Sequence, residues 1–235
     1  MKVSSRSVGV VALTLAAFAC AQQKQPEPKP APETRKTGDQ TKAVFDFDAA
    51  VTGSVPKGWT VAETKGAGTP AAWRVEALKD DAKHKNAVKV DTKNKESVFN
   101  LLLSETSYAA DLDLSVAIKA ATGDDDQGGG LVWRAKDADN YYITRWNPLE
   151  NNIRVYKVEA GQRTMFKSAE AVADPKQWHT IAVTHRGAKI TVKLDDKVVL
   201  EAEDSTFKDA GKVGFWTKAD ASSWFDDLVV AWQKK

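Results

Sequence analysis

The residues best suited to chemistry cluster between Gly130 and Tyr156. If Ile143 faces a core, strand alternation puts Tyr142, Thr144 and Trp146 on the opposite face. If Ile153 and Val155 face the core, Arg154 and Tyr156 join them from the next run. Asn147, Glu150, Asn151 and Asn152 lie in the turn between the two runs, and Arg134 lies on the run before them. Sugars stack their apolar faces on Trp and Tyr while amides and guanidinium groups hold their hydroxyls. Arg134, Tyr142, Trp146, Asn147, Arg154 and Tyr156 are therefore the candidate ligand contacts. A one-residue error in the alternation would swap every face and put Tyr141 and Arg145 on the platform. Of the other tryptophans, Trp59, Trp73, Trp178 and Trp232 are assigned to packing, and Trp133 and Trp216 fit either role.

Four carboxylates form a candidate metal site. Asp46 and Asp48 flank Phe47 and share a face, and Asp226 and Asp227 open the last alternating run. Ca²⁺ takes about six to eight oxygen ligands, so a structural Ca²⁺ is expected there if the first and last strands are neighbours. A polar outer face on two edge strands explains the same four residues. The run Asp124–Asp126 before three glycines reads either as a second such site or as a solvated hairpin loop.

Signs of catalysis are sparse. Glu201 and Glu203 share one face of a strand but follow the apolar run Val198–Leu200, and they read as a solvated face. There is no G-x-S-x-G, no H-E-x-x-H and no phosphate loop. His84 falls in a charged loop. His179 and His185 lie on one strand, too far apart to ligate a shared metal along it. These absences lean towards a binding protein.

The elements that must position these groups are strands. Leu112, Leu114, Val116 and Ile118 alternate with small or polar residues, as do Ile181 and Val183, and Ile190, Val192 and Leu194. Period two marks a strand with one face on a core. Turn signals recur at Ala160-Gly161, Arg186-Gly187, Asp195-Asp196 and Asp209-Ala210-Gly211. No helical stripe appears. About a dozen strands are predicted, more than an immunoglobulin-type domain has, so the expected fold is an all-β, two-sheet jelly-roll sandwich.

The other end of the chain carries transport signals. Lys2 and Arg6 precede an apolar run, Val8–Ala19, too short to cross a bilayer. This is the pattern of a secretory signal peptide. It ends Leu15-Ala-Ala-Phe-Ala-Cys20, which resembles a bacterial lipobox, and Cys20 is the only cysteine. Lipidation of Cys20 and residence in the cell envelope are expected, at the outer membrane in a Gram-negative cell because Ala21 rather than Asp follows. Residues 20–43 carry four prolines among charged and polar residues and read as a disordered spacer. The expected organisation is signal peptide 1–19, lipidated linker 20–43 and domain 44–235. Removing residues 1–19 takes the formal charge from +2 to zero. That excludes a broad basic footprint for nucleic acid, and leaves the lipid as the only expected membrane contact. A monomer is expected.

The second half carries a resemblance. Gly130-Leu-Val-Trp-Arg-Ala-Lys-Asp-Ala-Asp-Asn-Tyr-Tyr-Ile-Thr-Arg-Trp-Asn147 resembles the central strands of concanavalin A-like domains. Gln177-Trp-His-Thr-Ile-Ala-Val183 is similar to a recurrent strand of that group. Gly211–Asp220 and Phe225–Val230 are similar to its closing strands. The likeness is nearest to the exported laminin-G-like and 3-keto-disaccharide-hydrolase-like (DUF1080) proteins. It implies a jelly roll in a superfamily of lectins, glycan-binding modules, glycosidases and adhesion domains, so fold alone does not choose a function. The E-x-D-x-E motif of glycoside hydrolase family 16 is absent. The reading is an envelope-anchored, non-catalytic module that binds a glycan or another surface partner. The alternatives are a glycoside hydrolase of the 3-keto-disaccharide type and a protein-binding accessory lipoprotein.

Overall fold

The computed structural model describes Met1 and residues 34–37 and 40–233. The signal-peptide stretch, Cys20 and much of the spacer fall outside the described residues. Sixteen strands account for the fold: β1 Thr34–Thr37, β2 Gln40–Phe45, β3 Trp59–Glu63, β4 Ala72–Ala77, β5 Asn86–Asp91, β6 Phe99–Tyr108, β7 Leu112–Thr122, β8 Gly129–Asp137, β9 Asn140–Asn147, β10 Asn152–Glu159, β11 Gln162–Glu170, β12 His179–Arg186, β13 Lys189–Leu194, β14 Lys197–Glu203, β15 Gly211–Lys218 and β16 Ser222–Gln233. The one helical turn among the described residues is a 3₁₀ turn at Thr64–Gly66.

The strands form two antiparallel sheets. The first runs β1-β2-β16-β7-β12-β13-β14, with β4 and β5 added beside β16. The second runs β11-β10-β9-β8-β15-β6-β3. This is the expected two-sheet jelly roll. Between the sheets lies an aromatic stack: Trp59 on Phe215 at 5.3 Å and Phe215 on Phe225 at 4.7 Å between ring centres. Leu114, Val116, Val183 and Val192 enter the same core, as their alternation requires. The hairpin turns fall at the expected residues. Ala160 and Gly161, like Asp195 and Asp196, have positive φ at both positions, the turn geometry that matches strand twist.

Two departures bear on the site. The strands begin at Thr34, inside the segment expected to be spacer, because β1 pairs with β2 and β2 with β16. Backbone pairing orders a stretch that has few apolar side chains of its own; Thr41 and Ala43 bury against the core edge. The middle of the second sheet, β8, β9 and β15, is moreover buried on both faces over most of its length. Arg163 on β11 lies 4.8 Å from the Phe99 ring on β6, five strands away. In a flat sheet they would be about 24 Å apart at a ~4.8 Å strand spacing. The sheet is therefore curled, and its outer face is a trough holding a second cluster that includes Tyr141, Ile143, Tyr156 and Trp216.

Candidate functional site

The curl decides which side chains can meet. Asn147 pairs with Asn152, and so Trp146 pairs with Ile153 and Arg145 with Arg154. Paired residues share a face. Ile153 faces the inter-sheet core, so Trp146 and Tyr142 face it too, both 0% exposed. The expectation that Tyr142 and Trp146 line an exposed platform is therefore corrected. Tyr142 donates its hydroxyl to Asp204 (2.5 Å) and accepts the Phe207 N–H. Arg134 is also a structural residue. It sits at a β8 bulge with φ +47° and donates to the carbonyls of Ala110, Phe207 and Gly187. Asn147 is buried; it donates to Asp126 and accepts the N–H groups of Leu149 and Glu150, which fixes the β9–β10 turn. Of the six expected contacts, Arg154 and Tyr156 lie on the outer face, where Tyr141 and Arg145 join them.

Three arginines converge on that face. Arg145 Nη2 lies 3.2 Å from both oxygens of Glu150, Arg154 Nη1 lies 2.8 Å from Oε2, and Asn152 Nδ2 donates to Oε2 at 2.9 Å. Burial raises the Glu150 pKa, but Asn152 and the two guanidinium groups outweigh it and hold the carboxyl below its usual range. Arg163 has no such carboxylate among the described residues. Its guanidinium lies 4.6 Å from the Tyr156 ring, 4.8 Å from Phe99 and 5.8 Å from Trp216, a cation enclosed by aromatic faces. Burial and the Arg145 charge lower its pKa. Gly130 pairs with Arg145 on one side and Trp216 on the other, leaving bare backbone between them. A Cβ there would sit 1.9 Å from the Thr144 carbonyl oxygen.

Several polar atoms in this cluster have no partner among the described residues. Arg145 is 2% exposed, yet Arg145 Nε and Nη1, Arg163 Nη1 and Asn152 Oδ1 lack hydrogen bonds. An unsatisfied buried polar atom costs about 1–3 kcal/mol, more when charged. So many in one place single this cluster out among the described residues.

A second cluster lies at the β16 bulge between Asp226 and Val229. Here β5 pairing gives way to β2 pairing along one edge of β16. Asp227 adopts φ +50° at this seam and Phe47, between Asp46 and Asp48, φ +51°. The β4–β5 loop delivers His84, read from sequence as a residue of a charged loop but in fact 1% exposed. Its Nδ1 is 2.8 Å from Asp226 Oδ2 and 3.7 Å from Asp227 Oδ2. Burial, with repulsion from Asp227, Asp48 and Asp46, pushes the Asp226 carboxyl up to about 8 against a hydrogen bond from the Asp227 N–H. Burial lowers the His84 pKa. The donors that converge are His84, Asp226 and Asp227. Asp46 and Asp48 stand near, but Asp46 accepts the Asp48 N–H and Asp48 the Asn86 N–H. Among the described residues Asp226 Oδ1 has no partner, which leaves a buried oxygen beside His84 Nδ1 that fits a cation. The nitrogen donor moves the set from pure calcium chemistry towards zinc or manganese.

The remaining sequence candidates are structural. Asp124, Asp125 and Asp126 donate their backbone N–H groups to the Asp220 carboxylate, so they form a loop around an anion. Glu201 and Glu203 are exposed. His179 pairs with Asp195, and His185 is sealed in the core.

Comparison with known proteins agrees with the fold. Levanase of Bacillus subtilis (strain 168) is 25% identical over 129 residues, 54% of this chain, and the match spans 18% of levanase. The carbohydrate-binding module CBM66 from Bacillus subtilis superposes with a TM-score of 0.59 at 21% identity, over 73% of this chain and 93% of the module. The cellulose-induced protein Cip1 superposes with a TM-score of 0.60 at 10% identity, over 80% of this chain and 95% of its own. At these identities the two structures share the fold. A family profile matches residues 41–231, nearly all of the sandwich. The chain belongs to the 3-keto-alpha-glucoside-1,2-lyase-like domain family.

Proposed function

We propose that this domain binds a carbohydrate in the trough of the second sheet and is held at the cell envelope through a lipidated Cys20. The observation that carries the binding reading is the pair of buried guanidinium groups, on Arg145 and Arg163, that keep unpartnered donors among the described residues. A sugar supplies vicinal hydroxyls that accept from a planar guanidinium, and an apolar ring face that stacks on an indole or phenol. Arg154 and Glu150 are partly exposed at the rim and give a ligand its route to Arg145. The names of CBM66 and levanase support a glycan as the ligand. In the same reading a structural cation sits among His84, Asp226 and Asp227 and ties the β4–β5 loop to β16.

A second reading, cleavage of a glycosidic bond, is favoured by family membership. Against it, Glu150 is clamped by Arg145, Arg154 and Asn152 and kept ionised, which suits neither a general acid nor a free base. The test uses the full chain carrying Cys20→Ser, titrated with levan fragments and neutral gluco-oligosaccharides while products are followed by chromatography. Saturable binding without new products supports the module. Turnover supports the enzyme. Neither, with a correctly folded chain, would favour a protein-binding accessory role. Anchoring is checked by labelling cells with radioactive fatty acid: wild type should take up label and Cys20→Ser none, since stable attachment needs more than one acyl chain.

A further inference from the structure

We propose a second carbohydrate-binding site on the opposite side of the sandwich, in the cleft between Trp178 and Trp224, with a neutral pyranose oligosaccharide as its ligand. The cleft measures about 430 Å³, at the small end of ligand sites, roughly 300–1,000 Å³. It lies on the outer face of the first sheet. Trp224 of β16 pairs with Lys89 of β5 on one side and Lys119 of β7 on the other, so these three share that face. Trp178 precedes β12 and forms the far wall; the β4–β5 loop from Ala77 to Asp81 closes the end.

Trp178 is built as a fixed wall. Its indole N–H donates to Asp81 Oδ2 at 2.7 Å, and its ring stacks on His84 with centres 4.1 Å apart. Asp81 Oδ1 accepts the N–H groups of Lys83 and His84. These bonds hold Asp81 below its usual carboxylate range. The residue thus spends its charge on orienting the indole. Trp178 packs on His84, and both it and Trp224 keep part of their surface in the cleft.

The lining selects the ligand. Both indoles line the cleft, Trp178 with His84 stacked on its ring and Trp224 with Lys89 Nζ 4.9 Å over its ring centre; the apolar surface they leave in the cleft matches the C–H face of a sugar ring. Asp80 supplies acceptors, and Lys79 and Lys119 supply donors. Both signs of charge are present, so a neutral polyol meets complementary groups where an anion or cation would meet a like charge. The site is separated from the trough by the whole sandwich, and two sites on one domain let it hold a polymer by avidity.

Indole ¹⁵N–¹H spectra of the tryptophan-labelled chain carrying Cys20→Ser read the two sites separately: Trp178 and Trp224 report the cleft, Trp216 the trough. Titration with cellotetraose is expected to shift Trp178 and Trp224. In Trp224→Ala the Trp178 shift should need about ten-fold more ligand, the scale of one lost stacking anchor. Lys119→Ala, on the same face, should weaken the shift in the same direction and serves if Trp224→Ala fails to fold. The proposal is overturned if only Trp216 moves, if no indole moves at millimolar cellotetraose, or if the Trp178 shift is unaltered in both variants.

Discussion

Arg145 and Arg154 stand directly opposite each other on β9 and β10 and share one carboxylate, that of Glu150. Two cations side by side are held together by one anion, and Arg145 keeps Nε and Nη1 unused. Arg145→Met should therefore weaken glycan binding by at least ~1 kcal/mol, the scale of a hot-spot contact. Arg154 and Asn152 still satisfy Glu150 in the variant, so the fold should persist. Calorimetric titration alongside a thermal melt checks this; full affinity in a folded variant would remove Arg145 from the site.

Trp146 makes the opposite prediction. It packs between the sheets, with its ring 5.1 Å from His179. Trp146→Ala should cost about 3–5 kcal/mol of folding stability, read by urea denaturation. Loss of binding in a variant of wild-type stability would mean the face assignment is wrong.

The contrast between Arg145 and Trp146 shows what the sequence made legible. Alternation located the core faces of β7, β12 and β13 because each has one apolar and one polar side. On β9 both faces are buried, from Tyr141 through Asn147, so the contrast that gives alternation its sign is missing. The answer lay in the hairpin. With Asn147 opposite Asn152, placing Ile153 in the core forces Trp146 in with it and Ile143 out. Asp226 and Asp227 were visible as adjacent carboxylates on the last alternating run, although they fall at a bulge within β16 and not at its start, and β16 neighbours β2 and not β1. His84 was not, since nothing local distinguishes a loop histidine from one folded onto a carboxylate far along the chain.

The cluster around Asp226 predicts a cation-dependent fold. A ligand bound only by the native state raises its stability by mass action. Chelator should lower the melting temperature, and added Ca²⁺ or Zn²⁺ should restore it, the more effective ion showing whether His84 or the carboxylates dominate. Asp226→Ala should melt at one temperature with or without chelator. A wild-type melt indifferent to chelator and to both ions would leave His84 and Asp226 as a buried hydrogen-bonded pair.

His185 predicts a pH dependence of stability. It is 0% exposed and accepts the Trp133 indole N–H at Nδ1 (2.9 Å), which leaves the proton on Nε2. Burial, aided by the Arg134 charge, lowers its pKa from 6.5 to about 4. Between those values the unfolded chain binds a proton that the native chain refuses, so stability falls as pH falls. At about 1.4 kcal/mol per pKa unit the loss from this one group approaches ~3 kcal/mol by pH 4. Above pH 6.5 both states are neutral and the contribution is flat. His185→Gln keeps an acceptor for Trp133 and does not titrate. Urea unfolding of both proteins at pH 7 and pH 4.5 should give a wild type that loses more stability on acidification than the variant does. Equal losses would mean that His185 takes up its proton in the native state, and that the core around Trp133 and Tyr142 admits water.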